Sequence, residues 1–274
     1  MKPAPKSPTE RVTHPASERR SPTRRVSKAH ATEPGRRPAL QSFLVFGAHP
    51  DDIEFGCGGI IVSETRAGRK VHLVICSKGE SGTHGTPPQR TAEAKKAAKL
   101  LGATVEFIEL DGDAHLEIRA AHAIKLAGIL RRVRPGIVFA PSLVENQHPD
   151  HWRLGKLVRD ATRLARYGGV NELRRSPAHA IDQLFFYAVT PEAEPRDISP
   201  VLLDVSAPEV ISAWTAAMAA HQSQTSTRNY VELQLTRARL LGARAGIGYA
   251  MALFPNDPLV LDSLAQVRCG ARRF

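Results

Sequence analysis

The sequence has little of what disulfide-bridged, membrane-spanning or fibrous proteins require. Three cysteines in 274 residues are too few for a disulfide framework and fit a reducing compartment. No apolar run approaches the roughly 20 residues that span a bilayer. Aromatic residues make up only 5% of the chain, and no internal repeat is visible. These absences exclude disulfide-rich, collagen-like and coiled-coil proteins and predict a cytoplasmic protein without a membrane span.

The sequence also lacks the usual glycine motifs for nucleotides. No G-x-G-x-x-G follows the first predicted strand, because the glycines of Gly56-Cys57-Gly58-Gly59 lie within the following helix. The glycine-rich stretch 79–85 lacks the Lys-Ser/Thr pair of a P-loop. Binding of dinucleotides or nucleoside triphosphates is therefore disfavoured.

Positive charge is abundant but unevenly placed. The formal net charge is +11, and residues 1–40 alone contain ten Lys/Arg against three Glu. This segment also holds seven of the 20 prolines and no aromatic residue. Such a composition cannot bury enough apolar surface to offset its ordering entropy. We predict a disordered basic tail over 1–40 and a single folded domain over 41–274.

From residue 43 onward, short apolar runs alternate with longer helical patterns. Strands are predicted at 43–46, 71–76, 104–110 and 137–140, and helices at 54–68, 89–101, 115–133 and 149–167. Further apolar runs at 184–189 and 201–205 precede helices at about 208–221 and 228–244. This alternation is typical of a Rossmann-like three-layer α/β/α fold with a mainly parallel sheet, here with extra C-terminal strands and helices.

Two short segments place His and Asp at the spacing of metal ligands. His49-Pro50-Asp51-Asp52 directly follows the first strand, and His148-Pro149-Asp150-His151 follows the fourth. In open α/β sheets, ligands bind outside the carboxyl ends of the strands, near a switch in strand order. If the strand order is 3-2-1-4-5, the two segments meet at that point. Five other histidines stand alone and fit surface or core positions: His72, His84, His115, His122 and His179.

The chemistry of the two segments favours a hydrolytic metal centre. Two histidines and one carboxylate, with an open position for water, form a common catalytic zinc site. Zinc lowers the pKa of its water to about 7 and polarises a carbonyl oxygen, and a carboxylate that is not a ligand can accept the proton. Two adjacent aspartates supply one ligand and one base. The remaining His and Asp can form a pair that protonates a leaving amine or stabilises an oxyanion.

Residues 48–59, Ala-His-Pro-Asp-Asp-Ile-Glu-Phe-Gly-Cys-Gly-Gly, resemble the signature of the LmbE-like, or PIG-L, de-N-acetylases. Further similar blocks are 79–93 with Arg90 and Glu93, 148–151, 220–224 and 248–250. Together they span about 43–254. The resemblance implies a zinc-dependent enzyme that removes an acetyl group from N-acetylglucosaminyl compounds.

The resemblance also implies a role for each site residue. His49, Asp52 and His151 would bind the zinc, and Asp51 would be the general base. His148, oriented by Asp150, would stabilise the oxyanion or act as an acid, and Arg90 would donate hydrogen bonds to substrate. Spacing supports the assignment of the two aspartates, because at a helix start Asp52 faces the side of His49 and Asp51 does not.

The predicted function is therefore zinc-dependent hydrolysis of an N-acetyl group on an N-acetylglucosamine-type sugar or conjugate. One ion is expected per chain, with Fe²⁺ or another divalent ion as the alternative to Zn²⁺. Rival functions are hydrolysis of another sugar- or thiol-conjugate amide, a metal-dependent phosphoesterase, and a nucleic-acid-binding module that uses the basic tail. The last is disfavoured because the tail has no aromatic residue to stack on bases. The expected partner is a small amino sugar, and a homo-oligomer is left open.

Overall fold

Seven strands form one central sheet in the order β3-β2-β1-β4-β5-β7-β6. The computed structural model describes residues 41–145, 148–267 and 269–271, together with residue 1. The predicted tail over 1–40 lies outside this range, apart from its first residue. The strands are Phe43–Gly47 (β1), Val71–Ile75 (β2), Thr104–Phe107 (β3), Ile137–Pro141 (β4), Gln183–Tyr187 (β5), Val201–Asp204 (β6) and Ala250–Pro255 (β7).

The first five strands are parallel, and the last two are antiparallel to their neighbours. The helices are Asp52–Arg66 (α1), Pro87–Leu100 (α2), Ala120–Val133 (α3), Pro149–Arg166 (α4), Pro208–Ala219 (α5), Gln222–Thr225 (α6) and Tyr230–Ala245 (α7). Their arrangement around the sheet confirms the predicted Rossmann-like fold and the predicted order of the first five strands. No helix in the described part of the chain combines the length and hydropathy that crossing a bilayer requires.

Alternating side chains of β1, β2, β4 and β5 fill two hydrophobic cores, one on each face of the sheet. Leu44 and Phe46 of β1 pack on one face with α3 and α4. Phe43 and Val45 pack on the other face with α1, α2 and α5. Burial on both faces explains why these strands read as continuous apolar runs.

Helix α1 approaches the sheet closely because it carries glycines. A Cβ atom at Gly56 would lie 2.2 Å from the ring of Tyr187. The Tyr187 hydroxyl donates to the Phe46 carbonyl at 2.7 Å. Gly56 therefore lets α1 pack closely on the sheet, and Gly58 lets it pack closely on Trp214 of α5.

The helix predicted over 115–133 begins only at residue 120, which corrects the boundary. Residues 111–119 form a loop in which the Glu117 amide donates to Asp111 Oδ2 at 2.9 Å, and Ala114 has a positive φ of 67°. Two further elements, β7 and α6, lie where the apolar pattern predicted none. β7 completes the sheet between β5 and β6, and both α6 and the loop 111–119 lie next to the site described below.

Candidate metal centre and active site

The two predicted His/Asp segments meet at the carboxyl ends of β1 and β4, which are neighbours in the sheet. His49 follows β1, and His148 is the N-cap residue of α4. Their ring centroids are 4.3 Å apart, although about 100 residues separate them along the chain. The topology therefore gathers both segments into one cluster, as the switch-point argument predicts.

Asp52 lies between the two predicted histidine ligands. Its Oδ2 is 3.4 Å from His49 Nδ1, and its Oδ1 is 3.0 Å from His151 Nε2. The amides of Ala48 and His49 donate to Oδ2 at 2.9 and 2.8 Å and hold the carboxylate in place. One ligand atom from each of these three residues lies within 4.8 Å of the others. Two imidazoles and one carboxylate are a donor set that suits zinc and other transition metals, so these residues fit such an ion.

A second set of residues surrounds the other ring nitrogen of His49. Its Nε2 is 3.1 Å from Asp113 Oδ1 and 3.3 Å from Asp150 Oδ2. Histidines that bind a metal through one nitrogen usually donate the other N–H to a carboxylate, which sets the orientation of the ring. Asp113 and Asp150 are placed to accept a hydrogen bond from Nε2 of His49. Nδ1 of the same ring then faces Asp52.

Asp113 is a site residue that sequence reasoning missed. It is 4% exposed, and its Oδ1 also lies 3.5 Å from His148 Nε2. The Ser81 amide donates to Asp113 Oδ2 at 3.1 Å. A signal was available in the sequence, because Asp111-Gly112-Asp113 closely follows β3 and therefore lies at the same carboxyl edge as the two His/Asp segments.

The structure places Asp150 differently from the expected pairing with His148. Asp150 Oδ2 is 4.0 Å from His148 Nδ1 but accepts the Ala114 amide at 2.7 Å and lies closer to His49. As the second residue of α4, Asp150 donates its own amide to His148 Nδ1 at 3.4 Å, which turns its carboxylate toward β1. His148 Nε2 instead has Asp113 as its nearest carboxylate among the described ion pairs.

Asp51 lies beside the predicted ligands with a strained backbone. It is the N-cap residue of α1 and has φ of 111°, a region that non-glycine residues rarely adopt. Strain of this kind concentrates at functional sites. Burial and the charge of Asp52 raise the pKa of Asp51 to about 7, against the lowering effect of His221 and Arg90. Asp51 is thus suited to exchange a proton near neutral pH.

Arg90 occupies the cavity wall beside Asp51 and is 5% exposed. Its guanidinium donates to the Gly79 carbonyl at 2.9 Å and to the Pro50 carbonyl at 3.0 Å, and it lies 3.6 Å from Asp51 Oδ2. These internal bonds tie the loop after β2 to the loop after β1. The described bonds of Arg90 therefore position the loop that carries Asp51, and its role in substrate binding stays a prediction.

His221 and Glu54 form a buried pair behind the cavity. His221 Nε2 is 3.4 Å from Glu54 Oε2, and both side chains are 1% exposed. Burial lowers the pKa of His221, but the charges of Glu54 and Asp51 outweigh it and raise the pKa overall. His221, like Arg90, lowers the pKa of Asp51 and so opposes the effect of burial on that carboxyl. The short helix α6, which the apolar pattern did not predict, carries the 220–224 block to the site.

The candidate site opens into a cavity of about 370 Å³ at the sheet edge. The polar side of the lining includes His49, Asp51, Asp52, Arg90, Asp113, His148 and His151. Phe55, Val189, Gln224 and Tyr230 also line it. This volume falls within the range of about 300–1,000 Å³ that small-ligand sites occupy.

Binding of a divalent ion to the metal-free protein is expected to release about one proton at neutral pH. Burial lowers the pKa of His49, but three nearby carboxylates outweigh it and hold the pKa well above its ordinary value. The imidazolium must lose its Nδ1 proton before that nitrogen can bind a metal. Metal affinity should therefore rise as the pH rises through the His49 pKa. Titration calorimetry of Zn²⁺ into chelator-treated protein, in buffers of different ionisation enthalpy, measures the proton count. A heat that is independent of the buffer contradicts this expectation.

Fold and site together define an α/β protein with a His–Asp–His cluster that could hold a metal ion at the switch point of a parallel sheet. Residues 44–162 match the family model described as PIG-L, GlcNAc-PI de-N-acetylase, and the chain belongs to this family. This match confirms the resemblance that the signature over 48–59 indicated.

Two curated relatives and one solved structure illustrate the similarity. A diacetylchitobiose deacetylase of Thermococcus kodakarensis is 30% identical over 179 residues, which cover 60% of this chain and 66% of the relative. A 4-oxalmesaconate hydratase of Pseudomonas putida is 31% identical over 141 residues, or 47% and 54% of the two chains. The alignments thus span about half to two thirds of these relatives. A conserved protein of Thermus thermophilus matches with a TM-score of 0.71 and 30% identity over 81% of this chain and 97% of that one.

Proposed function

We propose that this protein is a metal-dependent deacetylase that hydrolyses the acetamide of an N-acetylglucosamine-type sugar or conjugate, releasing acetate and a free amine. The observation that carries the proposal is the position of Asp51, a carboxylate suited to proton exchange, beside the three predicted ligands and at the wall of the cavity. The deacetylase among the relatives supports this reaction over other hydrolyses.

His49, Asp52 and His151 are the proposed ligands of a single ion, with Zn²⁺ as the first choice and Fe²⁺ as the alternative. When bound, such an ion polarises the amide carbonyl and makes water more acidic. Asp113 and Asp150 hold the His49 ring through its Nε2, so that Nδ1 is available to the ion.

Asp51 is the proposed general base. Its carboxylate accepts a proton from the attacking water as the water oxygen bonds to the acetyl carbon. The C–N bond then breaks, and the departing nitrogen takes up a proton, either the one held by Asp51 or one from His148. His148, which faces the cavity with Asp113 near its Nε2, is the proposed donor to the oxyanion or to the amine. Arg90 holds the Asp51 loop in place through the Pro50 carbonyl.

Acetate release tests the function directly. Purified protein should release acetate from at least one member of a panel of N-acetylglucosaminides, and a chelator should abolish the release because the proposed chemistry needs the metal. Returning Zn²⁺ or Fe²⁺ should restore it and identify the preferred ion. A protein that holds its metal but releases no acetate from any N-acetylhexosamine derivative would overturn the proposal.

Hydration of a carbon–carbon double bond is the second candidate, because one curated relative is named as a hydratase. A base and a metal could also serve the addition of water to such a substrate. The two reactions are separated by adding 4-oxalmesaconate and following loss of its ultraviolet absorbance. Release of phosphate from N-acetylglucosamine 1-phosphate would instead indicate a phosphoesterase.

A further inference from the structure

The positive charge of the folded domain is concentrated in one segment. Residues 41–274 contain 28 Lys/Arg and 24 Asp/Glu, a surplus of four. Residues 152–175, which comprise most of α4 and the turns after it, contain seven Lys/Arg and two Asp/Glu, a surplus of five. The rest of the domain is therefore close to neutral. An asymmetry of this kind is typical of a surface that binds an anionic partner.

Four cations of this segment form a basic stripe along α4. They follow one another at intervals of three or four residues, which places them on one side of the helix: Lys156, Arg159, Arg163 and Arg166. Lys156 and Arg159 are partly exposed, and Arg163 and Arg166 are exposed. At 1.5 Å per residue, the basic stripe is about 15 Å long. It therefore presents a row of cations to solvent.

The charge of the basic stripe is not neutralised by its neighbours. Arg153, beside the stripe, lies 3.9 Å from Asp150 Oδ1, but none of the four stripe cations forms an ion pair with a described residue. Four carboxylates lie nearby, on the same helix, in the turn after it or at the cavity that Arg163 and Arg166 border: Asp160, Glu172, Asp182 and Asp257. Seven cations of 152–175 thus stand against four carboxylates.

The basic segment 1–40 joins the domain next to the last turn of α4. The side-chain amide of Gln41 donates to Asp182 Oδ2 at 2.7 Å. Asp182 borders the same cavity, of about 320 Å³, as Arg163 and Arg166. A partner bound to the basic stripe therefore lies near the residue to which the ten Lys/Arg of 1–40 are linked.

The chemistry of this face favours a phosphodiester backbone over a lipid bilayer. Every aliphatic side chain of α4 packs in the hydrophobic core, so the face has none to insert between acyl chains. The Trp152 ring at the first turn is flanked by the Lys156 ammonium and the Arg153 guanidinium, 4.9 and 5.6 Å from its centroid. One strand of duplex DNA carries a charge about every 3.4 Å, so the basic stripe matches about four successive phosphates.

We infer that the basic stripe of α4 is a docking surface for double-stranded DNA, bound through its phosphate backbone without regard to base sequence. Contacts to the backbone need no base to be stacked on an aromatic ring. This binding is a further function of the chain and does not rest on the proposed deacetylation.

The test measures binding of a fluorescent DNA duplex of mixed sequence to the full chain, by anisotropy over a series of salt concentrations. The logarithm of the wild-type affinity should fall linearly with the logarithm of the salt concentration, because phosphate contacts release counterions. A triple variant that combines Lys156→Gln, Arg159→Gln and Arg163→Gln should make this slope shallower by about one unit for each cation removed. The loss should be the same on duplexes of different sequence.

A matched variant separates the basic stripe from net charge. Lys95, Lys96 and Lys99 are exposed on α2, and replacing all three by Gln removes the same charge from another surface. This variant should keep nearly the wild-type affinity and salt slope. Melting temperatures and acetate release are measured on both triple variants, and both should be unchanged because the replaced side chains are outside the cavity lining.

Two further measurements distinguish the basic stripe from other sources of binding. A variant with Gln in place of Arg19, Arg20, Arg24 and Arg25 reports on the segment 1–40, and vesicles of phosphatidylglycerol and phosphatidylcholine report on a membrane. No duplex binding at low salt, equal losses in the α2 and α4 variants, or a loss confined to the variant in 1–40 overturns the inference. Stripe-dependent binding to vesicles without binding to the duplex overturns it as well and identifies a membrane as the partner.

Discussion

Asp51→Asn is expected to keep its metal and to lose roughly 10²–10⁴-fold in turnover, the usual contribution of a general base. The amide has the shape of the carboxylate but cannot accept the proton. Asn also tolerates a positive φ better than most residues, so the backbone at φ 111° can be retained. Metal content and the rate of acetate release are measured on the same preparation.

Asp52→Asn is the matched comparison for the Asp51 variant. Asp52 contacts both His49 and His151, and these contacts lower its pKa well below the ordinary value despite its burial. Replacing this anionic ligand by a neutral one should weaken metal retention first, and excess metal should restore part of the activity. If Asp51→Asn loses its metal while Asp52→Asn retains it, the two roles are reversed.

His151→Ala should lose most of the bound metal, because two protein ligands hold a divalent ion poorly where three are needed. His49→Ala should lose it as well and should also leave Asp113 and Asp150 without the ring that they contact. The loss is measured as metal per chain after dialysis, together with the thermal stabilisation that added Zn²⁺ gives to each variant.

His72→Ala is the control for these losses. His72 lies near the start of β2, where its Nε2 is 3.1 Å from Glu106 Oε1, and it should keep the wild-type metal content. A metallated and active His151→Ala variant would show that another residue completes the ligand set. The set formed by His49, Asp113, His148 and Asp150 would then be the place to search for it.

Most of the sheet was predictable because its signal is local. The parallel strands β1, β2, β4 and β5 are buried on both faces and read as short apolar runs, whereas the edge strand β3 is only partly buried. Gly or Pro ends most of the intervening helices. β7 was missed although it is equally apolar and follows a predicted helix. Its antiparallel place between β5 and β6 is set by pairing with residues far away in the chain. The late start of α3 was missed because the loop 111–119 is stabilised by contacts with distant residues.

In the candidate site, too, some residues could be predicted from the sequence and others could not. His49, Asp52 and His151 were predictable because metal chemistry restricts both residue type and spacing, and the strand order brings the two segments together. Asp113 and the positioning contacts of Arg90 depend on loops whose paths are set by long-range bonds, such as those to Ser81 and Pro50. A carboxylate in a loop has no spacing pattern of its own.

The sequence by itself therefore determined the α/β fold, the family and the two segments that carry the predicted ligands, because apolar periodicity and motif spacing are local properties of the chain. Only the tertiary structure decided which carboxylates contact His49 and His148. It also decided that Asp150 accepts the Ala114 amide, and that Phe55 and Tyr230 share one wall of the cavity. The physical reason is that these contacts join residues far apart in the chain, and their partners are selected by packing and burial rather than by neighbouring residues.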